Sequence, residues 1–226
     1  MSKNTKKIEK IYNLIILDES GSMSGLEKMS VDGVNETIQT IRGAANEHPE
    51  QKQMFSFITF SSMGNGSPYR IHTLLSEISE VKEMPMSAYR PCGNTPLWDA
   101  MGIALSALEK EVGDNDIALV TVITDGYENA SREYSGKMIQ EMVKRLDAKG
   151  WVFTYIGANQ DAMVEAEKLG MRNSLNFDAD YEGTRRMWLK EKESRQIFYS
   201  KACSDISSPE DLKENYFAKG EFDDWK

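Results

Sequence analysis

The stretch LIILDESGSMSG, residues 14–25, decides the fold. Four apolar residues lead directly into Asp18, and side chains with hydroxyl groups follow at Ser20 and Ser22. An unbroken apolar run of this kind is typical of a strand that is covered on both faces of a parallel sheet. The polar residues after it predict a loop at the carboxyl end of that strand, which is where open α/β sheets bind their ligands.

Further apolar runs that are rich in β-branched residues predict the other parallel strands of this sheet. Together with the first strand they are IYNLIIL (11–17), MFSFITF (54–60), IALVTVIT (117–124) and WVFTYIG (151–157). The segment YRIHTLLSEI (69–78) follows the second run after a turn-rich stretch, which predicts an antiparallel edge strand. SLNF (174–177) is expected to close the opposite edge.

Helical periodicity between the apolar runs completes the fold class. Apolar residues keep one helical face in the segments 34–45, 97–112 and 139–146, and a last helix is expected at about 184–203. Gly150 and Gly170 follow apolar-periodic stretches, where glycine favours the end of a helix. The alternation predicts an α/β, doubly wound, Rossmann-like fold with a mostly parallel sheet of about six strands, one antiparallel edge strand and helices on both faces.

Length and charge limit the domain organisation and the class of partner. The chain has 226 residues and a formal net charge of −9. This length fits one domain, which we place at 9–203, between a basic N-terminal arm at 1–8 and an acidic, aromatic C-terminal tail at 204–226. The tail is a partner-binding peptide, a strap packed on its own domain, or a disordered end. The acidic balance argues against a nucleic-acid partner, because nonspecific binding to phosphates needs clustered Lys and Arg.

The sequence also indicates a compartment. No apolar run approaches the roughly 18 residues of a membrane-spanning helix, and the first ten residues, MSKNTKKIEK, lack the apolar core of a secretory signal. Cys92 and Cys203 are the two cysteines, and they are far apart with no metal-binding spacing, so reduced thiols are expected. We therefore expect a cytoplasmic protein without a membrane partner.

Side chains with oxygen ligands gather at the predicted strand ends. Asp18, Ser20 and Ser22 project to one side of an extended or tightly turned loop, because alternate residues do so. Asp125 comes where the strand IALVTVIT stops, and Thr95 lies in CGNTPLWDA just before a helix, where it could also serve simply as the N-cap. Hard divalent cations prefer oxygen ligands, and no His lies in these segments, which disfavours zinc, copper and iron. The five residues therefore predict a site for Mg²⁺.

Together, DESGS, the threonine of GNTPL and the aspartate of ITDG resemble the metal-ion-dependent adhesion site (MIDAS) of von Willebrand factor type A (VWA) domains, in order and in spacing. The resemblance covers about residues 9 to 203 and is to stand-alone, cytoplasmic, bacterial-type members. It implies direct ligation by Ser20 and Ser22. Thr95 would engage when a partner is bound, and Asp18 and Asp125 would act directly or through ordered water. Magnesium is the expected ion, with manganese and calcium left open.

The function implied by this resemblance is that of a Mg²⁺-dependent protein-binding adaptor. Mostly neutral ligands leave the cation under-neutralised, so an acidic side chain of a partner protein can complete its coordination shell. The partner is expected to be linked to an ATPase or to a stress-response or defence system. Residues in the same loops are expected to form the rim that selects this partner, namely Glu19, Met23, Asn94, Tyr127 and Glu128.

An alternative function is a Mg²⁺-dependent hydrolase that acts on phosphate esters, in which the ion serves as a Lewis acid. Such an enzyme needs a general base or nucleophile beside the metal. Glu19 and Glu128 are the only candidates that the site loops offer, so the sequence favours a protein that is not an enzyme.

Overall fold

The computed structural model describes residues 8–62, 67–158, 161–203 and 210–217. The described residues contain six strands, which are β1 (Lys10–Asp18), β2 (Lys52–Phe60), β3 (Tyr69–Glu77), β4 (Ile117–Thr124), β5 (Val152–Ala158) and β6 (Asn173–Phe177). They form one sheet in the order β3-β2-β1-β4-β5-β6, in which only β3 runs antiparallel to its neighbour. The predicted fold class, including the antiparallel edge strand, is confirmed.

Helices cover both faces of the sheet. The helices of the described residues are α1 (Glu27–Glu47), α2 (Leu97–Glu109), α3 (Gly136–Ala148), α4 (Ala162–Lys168), α5 (Tyr181–Cys203) and α6 (Glu210–Lys213). α1 and α5 pack on one face, and α2, α3 and α4 pack on the other. Gly150 and Gly170 follow the ends of α3 and α4 with φ angles of 97° and 77°, the left-handed conformation that ends a helix most easily at glycine.

The apolar run that opens the site loop is buried on both sides. Ile15 and Leu17 of β1 face the core layer under α1 and α5. Leu14 and Ile16 face the layer under α2, α3 and α4. Alternate residues of a strand point to opposite faces, so a strand that is covered twice needs no polar position along its length.

The order of the strands changes direction at β1. From β1 the chain adds β2 and β3 on one side, and it then crosses to add β4, β5 and β6 on the other side. β1 has β2 on one side and β4 on the other, and both pairs are parallel. Leu17 pairs with Ile123, so both strands end at the same level. This is the topological switch point of a doubly wound sheet, where two loops diverge and leave a crevice. Asp18 and Asp125 lie at this crevice.

A buried ionic network ties α5 to the two strands that carry the crevice. Arg195 is fully buried and forms an ion pair with Glu191, 2.6 Å apart. Its guanidinium also donates to Asn13 Oδ1 on β1 and to Thr121 Oγ1 on β4, both at 3.0 Å. A buried charge is tolerated when it is paired and hydrogen-bonded in this way, so α5 is held in one position against the sheet.

Part of the C-terminal tail packs on the domain. Leu212 and Tyr216 are buried, and Asn173 at the start of β6 donates to the Lys213 carbonyl and accepts from the Tyr216 amide. The rest of the predicted tail, 204–209 and 218–226, lies outside the described residues, as does the basic arm apart from Ile8. Within the described ranges, no helix is long and apolar enough to span a bilayer.

Candidate metal centre

The loop after β1 presents its polar side chains at alternate positions. Asp18 ends the strand and accepts a hydrogen bond from the Ser20 amide at its Oδ1, 2.7 Å away. The chain then forms a short 3₁₀ turn over Gly21–Met23. This turn brings the hydroxyl groups of Ser20 and Ser22 to within 3.0 Å of each other. The loop therefore places one carboxylate and two hydroxyls side by side.

The end of β4 contributes the second carboxylate. Ser22 Oγ donates to Asp125 Oδ1 over 2.6 Å, which links the two loops across the crevice. Directly below, Thr124 Oγ1 donates to Asp18 Oδ2, also at 2.6 Å. The neighbouring carboxyl ends of β1 and β4 are thus joined by side chains that come from sequence positions about a hundred residues apart.

Thr95 reaches the same place from the segment before α2. A Cβ atom built on Gly126 would lie 3.4 Å from Thr95 Oγ1 and 3.7 Å from Ser22 Oγ, so both hydroxyls border the backbone next to Asp125. Gly93 holds the segment close to the first loop, because its carbonyl accepts from the Gly21 amide at 3.0 Å. Glycine is required there, since φ is 73° and a Cβ would lie 2.5 Å from the Ser62 carbonyl oxygen.

Burial makes the two carboxylates costly to charge without a cation. It raises the pKa of Asp18 from its usual 3.8 to about 6, although hydrogen bonds from Thr124 and Ser20 oppose this, and the nearby Asp125 charge adds to it. Burial likewise raises the pKa of Asp125, and the Ser22 hydroxyl opposes that rise. A positive ion between the two groups would favour both charged forms.

The donor set fits a hard divalent cation. It consists of two carboxylates, those of Asp18 and Asp125, and three hydroxyls, those of Ser20, Ser22 and Thr95. Two ligands at adjacent octahedral positions around Mg²⁺ lie about 3 Å apart. The spacings of 3.0 Å between Ser20 Oγ and Ser22 Oγ, and of 2.6 Å from Ser22 Oγ to Asp125 Oδ1, are close to that separation.

A comparison with known families identifies the domain. The family model of the von Willebrand factor type A domain matches residues 14–185, about three quarters of the chain. The chain belongs to this family. VWA domains are generally protein-interaction modules and are mostly not enzymes. No curated protein sequence matches the chain.

Solved structures share the VWA fold at low sequence identity. The pilus adhesin SpaC from Lactobacillus rhamnosus GG, in its open conformation, is 12% identical with a TM-score of 0.61, and the match covers 84% of this chain and 30% of SpaC. Proximal thread matrix protein 1 from the mussel byssus is 16% identical with a TM-score of 0.55, over 87% of this chain and 48% of that chain. The VWA domain of SpRpn10 is 13% identical with a TM-score of 0.53, and the match covers 80% of this chain and 94% of that domain.

The structure brings together the five predicted ligand residues of this VWA domain. Thr95 does not act as the N-cap of α2. The helix begins at Leu97 with Pro96 at the cap position, and no side chain of the cap residue accepts a hydrogen bond. Instead, Glu128 Oε2 accepts from the Trp98 amide at 2.9 Å.

Two of the five predicted rim residues lie in the interior instead. Glu19 is 1% exposed, and its carboxylate accepts from the Arg90 amide and the Thr59 hydroxyl, both at 2.6 Å, and from Arg70. Met23 is also 1% exposed and belongs to the core layer under α1 and α5. Each intervening residue points away from the alternating site residues, so neither side chain is available to a partner.

Glu128, another predicted rim residue, is half-buried, and its carboxylate is occupied within the domain. Besides the Trp98 amide, it accepts from the amides of Ala130 and Ser131 at 2.8 and 2.7 Å and from the Ser131 hydroxyl at 2.7 Å. Asn94 and Tyr127 are exposed, as a rim requires, and Tyr127 is 55% exposed.

The sequence reasoning missed two residues that shape the site. Asn129 Oδ1 accepts from the Thr95 amide at 2.9 Å, and its own amide donates to the Thr95 carbonyl at 3.1 Å. Asp99 in the first turn of α2 is buried, and its carboxylate accepts from three successive amides, those of Arg132, Glu133 and Tyr134, at 2.8–2.9 Å. The one sequence cue is a cluster of Asn, Asp, Glu and Ser in two loops, which is typical of side chains that bond to backbone.

Proposed function

We propose that this VWA domain is a divalent-cation-dependent protein-binding module that captures an acidic side chain of a partner protein. The observation that supports it most directly is the hydrogen-bonded cluster of Ser20, Ser22 and Asp125, with Asp18 and Thr95 beside it. Mg²⁺ is the proposed ion, because all the donors are hard oxygens and three of them are neutral.

The residues would divide the work by their charge. Ser20 and Ser22 would hold the cation through neutral hydroxyls, and the buried carboxylates of Asp18 and Asp125 would offset part of its charge. Thr95 would supply a further hydroxyl. When bound, the cation supplies positive charge and an open position for an oxygen ligand. Because three of the five donors are neutral hydroxyls, a charged carboxylate from outside is the favoured last ligand.

The cellular setting is part of the same proposal. We take the domain to act in the cytoplasm as an adaptor, beside an ATPase or a stress-response or defence system. This setting rests on the resemblance of the site motifs to stand-alone members of the family. The exposed Asn94 and Tyr127 are the proposed contacts that select the partner around the captured carboxylate.

The hydrolase alternative gains no support from the site geometry. The two acids proposed as its general base are Glu19, which is buried among three donors, and Glu128, whose carboxylate accepts four hydrogen bonds. A general base must be able to reach the proton that it removes. Both carboxylates are instead used to hold loops.

The test is calorimetric titration of EDTA-stripped protein with Mg²⁺, Mn²⁺ and Ca²⁺, comparing wild type with Ser22→Ala. A matched control is Ser200→Ala, which deletes an exposed hydroxyl on α5 that bonds to the Gln196 carbonyl. We expect binding by wild type and by Ser200→Ala, and a marked loss in Ser22→Ala. Equal affinities in all three proteins, or no binding by wild type, would refute the cation site.

A second experiment addresses the partner. Capture from cell extract is compared for wild type and Thr95→Ala, with and without EDTA, and captured proteins are re-tested after their acidic residues are substituted. The proposal predicts capture that needs both the cation and one acidic residue of the partner. Turnover of generic phosphate esters that is lost in Asp18→Ala would favour the hydrolase instead.

A further inference from the structure

The first turn of α2 is capped by a remote loop instead of by the residue that precedes it. An N-cap side chain normally accepts from the amide two or three positions further along the helix. With Thr95 as the cap, the third position is Trp98. Glu128 Oε2 occupies the Trp98 amide at 2.9 Å, and Ser131 Oγ occupies the next one, that of Asp99, at 3.0 Å. The segment 128–131 therefore does the work that the sequence assigns to Thr95.

The same segment holds the backbone of Thr95 from both sides. Asn129 accepts from the Thr95 amide with its side chain and donates to the Thr95 carbonyl with its own amide, at 2.9 and 3.1 Å. Both peptide groups that flank the Thr95 side chain are thus fixed by one residue. Thr95 itself is 3% exposed, so its side chain has little room to move into solvent.

The Thr95 hydroxyl is therefore not needed to cap α2. Thr95 Oγ1 makes no hydrogen bond to any residue in the described part of the chain, and it borders Gly126 beside Asp125 and Ser22. A threonine at this position has two uses for its hydroxyl, the helix cap and the cation site, and the two compete for the direction in which its oxygen points. The donors on α2 that would draw it away are already satisfied by Glu128 and Ser131.

We infer that Glu128 and Asn129 are positioning residues of the cation site, which act through Thr95. Glu128 takes over the capping of α2 and so releases the Thr95 hydroxyl, and Asn129 fixes the backbone that carries it. This inference rests on the proposed function for the role of the cation. The exchange of caps can be tested without any metal.

The metal-free test is a crystal structure of Glu128→Ala in EDTA. Loss of the Glu128 carboxylate leaves the Trp98 amide without its acceptor, and the Thr95 hydroxyl is the nearest side chain in sequence that can replace it. We expect Thr95 Oγ1 to turn away from Asp125 and to accept from the Trp98 amide. A Thr95 hydroxyl that stays beside Gly126 in this variant would overturn the capping exchange.

The second test measures Mn²⁺ affinity by calorimetry, with excess acetate as a stand-in for the partner carboxylate. Glu128→Ala and Asn129→Ala are each expected to lose about tenfold in affinity, the scale on which supporting residues act at metal sites. In a Thr95→Ala background, neither substitution should cause a further loss, because both act through the same hydroxyl. Asn129→Asp keeps the acceptor for the Thr95 amide and should restore at least the wild-type affinity.

The matched control is Ser135→Ala, which removes the cap of a neighbouring helix. Ser135 Oγ accepts from the Met138 amide at the start of α3, at 3.4 Å, and has no contact with Thr95. It should leave Mn²⁺ affinity unchanged. If Glu128→Ala lowered Mn²⁺ affinity equally in the wild-type and Thr95→Ala backgrounds, the positioning role would be overturned. The cation site itself would not be affected by that result. Failure of wild type to bind Mn²⁺ would refute the proposed function and the positioning role together, while the crystal structure would still decide the exchange of caps.

Discussion

The loops that follow β1 and β4 both begin with an aspartate at the crevice, but they use their remaining side chains differently. In residues 18–23, alternate side chains face the site, and the intervening Glu19 and Met23 enter the interior. In residues 125–131, Asp125 accepts from the Ser22 hydroxyl of the first loop, whereas Glu128, Asn129 and Ser131 are bonded to the segment 95–99, which carries Thr95. The first loop builds the site, whereas the second supports another part of it.

This difference has a physical origin. The first loop continues directly from a strand, so the alternation of that strand carries over into it, and the core under α1 takes up the residues in between. The second loop has few apolar residues to bury, so its shape is set by hydrogen bonds to α2 and to Thr95. Substitutions in the two loops should therefore fail in different ways.

The largest effect is expected where the second loop meets the first. Asp125→Ala removes one of the two carboxylates of the proposed cation site, and it leaves the Ser22 hydroxyl without its acceptor. Because even supporting residues at metal sites cost about 10–100-fold, we expect the affinity for Mn²⁺ to fall by more than about a hundredfold. Calorimetric titration measures it.

The control for this loss is Asp114→Ala. Asp114 is an exposed aspartate just before β4, at the opposite end of the same strand from Asp125. It carries the same change in net charge but should keep the wild-type affinity. If both variants bound Mn²⁺ equally well, Asp125 would have no part in the site.

Glu19→Ala should lower stability, because the Glu19 carboxylate is a buried acceptor. This substitution removes the acceptor of the Arg90 amide and one of the two partners of the Thr59 hydroxyl, which also lies 2.9 Å from His72 Nε2. The expected loss in the free energy of unfolding is about 3 kcal/mol, measured with urea in EDTA. The half-buried Glu27, which accepts one hydrogen bond from the Gly25 amide, provides the comparison, and Glu27→Ala should cost about 1 kcal/mol. Similar costs for the two would contradict a buried role for Glu19.

Asp18→Asn should change stability in the opposite direction. The pKa of Asp18 is about 6 in the folded chain, above the usual value, so the metal-free protein loses stability as the pH rises from about 4 through 6. Above that range, Asp18→Asn should be more stable than wild type in EDTA, by at most about 3 kcal/mol. The proposed cation site predicts that Mg²⁺ stabilises wild type and does not stabilise Asp18→Asn.

Urea unfolding below about pH 4 and above about pH 7, with and without Mg²⁺, tests this sign. The difference between the two proteins is the quantity to compare, because burial raises the pKa of Asp125 too and gives both proteins a slope in the same direction. A metal-free Asp18→Asn that is less stable than wild type at the higher pH would show that the carboxylate charge is not costly in the fold.

The contrast between the loops also separates the features that the sequence predicts from those that it does not. The two edge strands, the mostly parallel sheet and the meeting of Asp18 with Asp125 follow from patterns local to each segment and from the geometry of parallel sheets. The burial of Glu19 depends on Thr59 and Arg90, 40 and 71 positions away, and the bonds from Glu128 and Asn129 depend on the segment 95–98. No local sequence pattern reveals such long-range hydrogen bonds. From the sequence alone, a polar loop residue that supports the site therefore cannot be distinguished from one that faces a partner.

The smallest effect is expected at Tyr127, the residue of the second loop that remains free for a partner. Its side chain is 55% exposed, so Tyr127→Ala should change the free energy of unfolding by less than about 0.5 kcal/mol and leave Mn²⁺ affinity unchanged. The sequence assigns Met23 to the same rim, but its side chain is buried in the core. Met23→Ala should therefore lower the free energy of unfolding by about 2–4 kcal/mol. Urea unfolding of the two variants side by side decides between rim and core, and equal costs would erase the distinction drawn here between the loops.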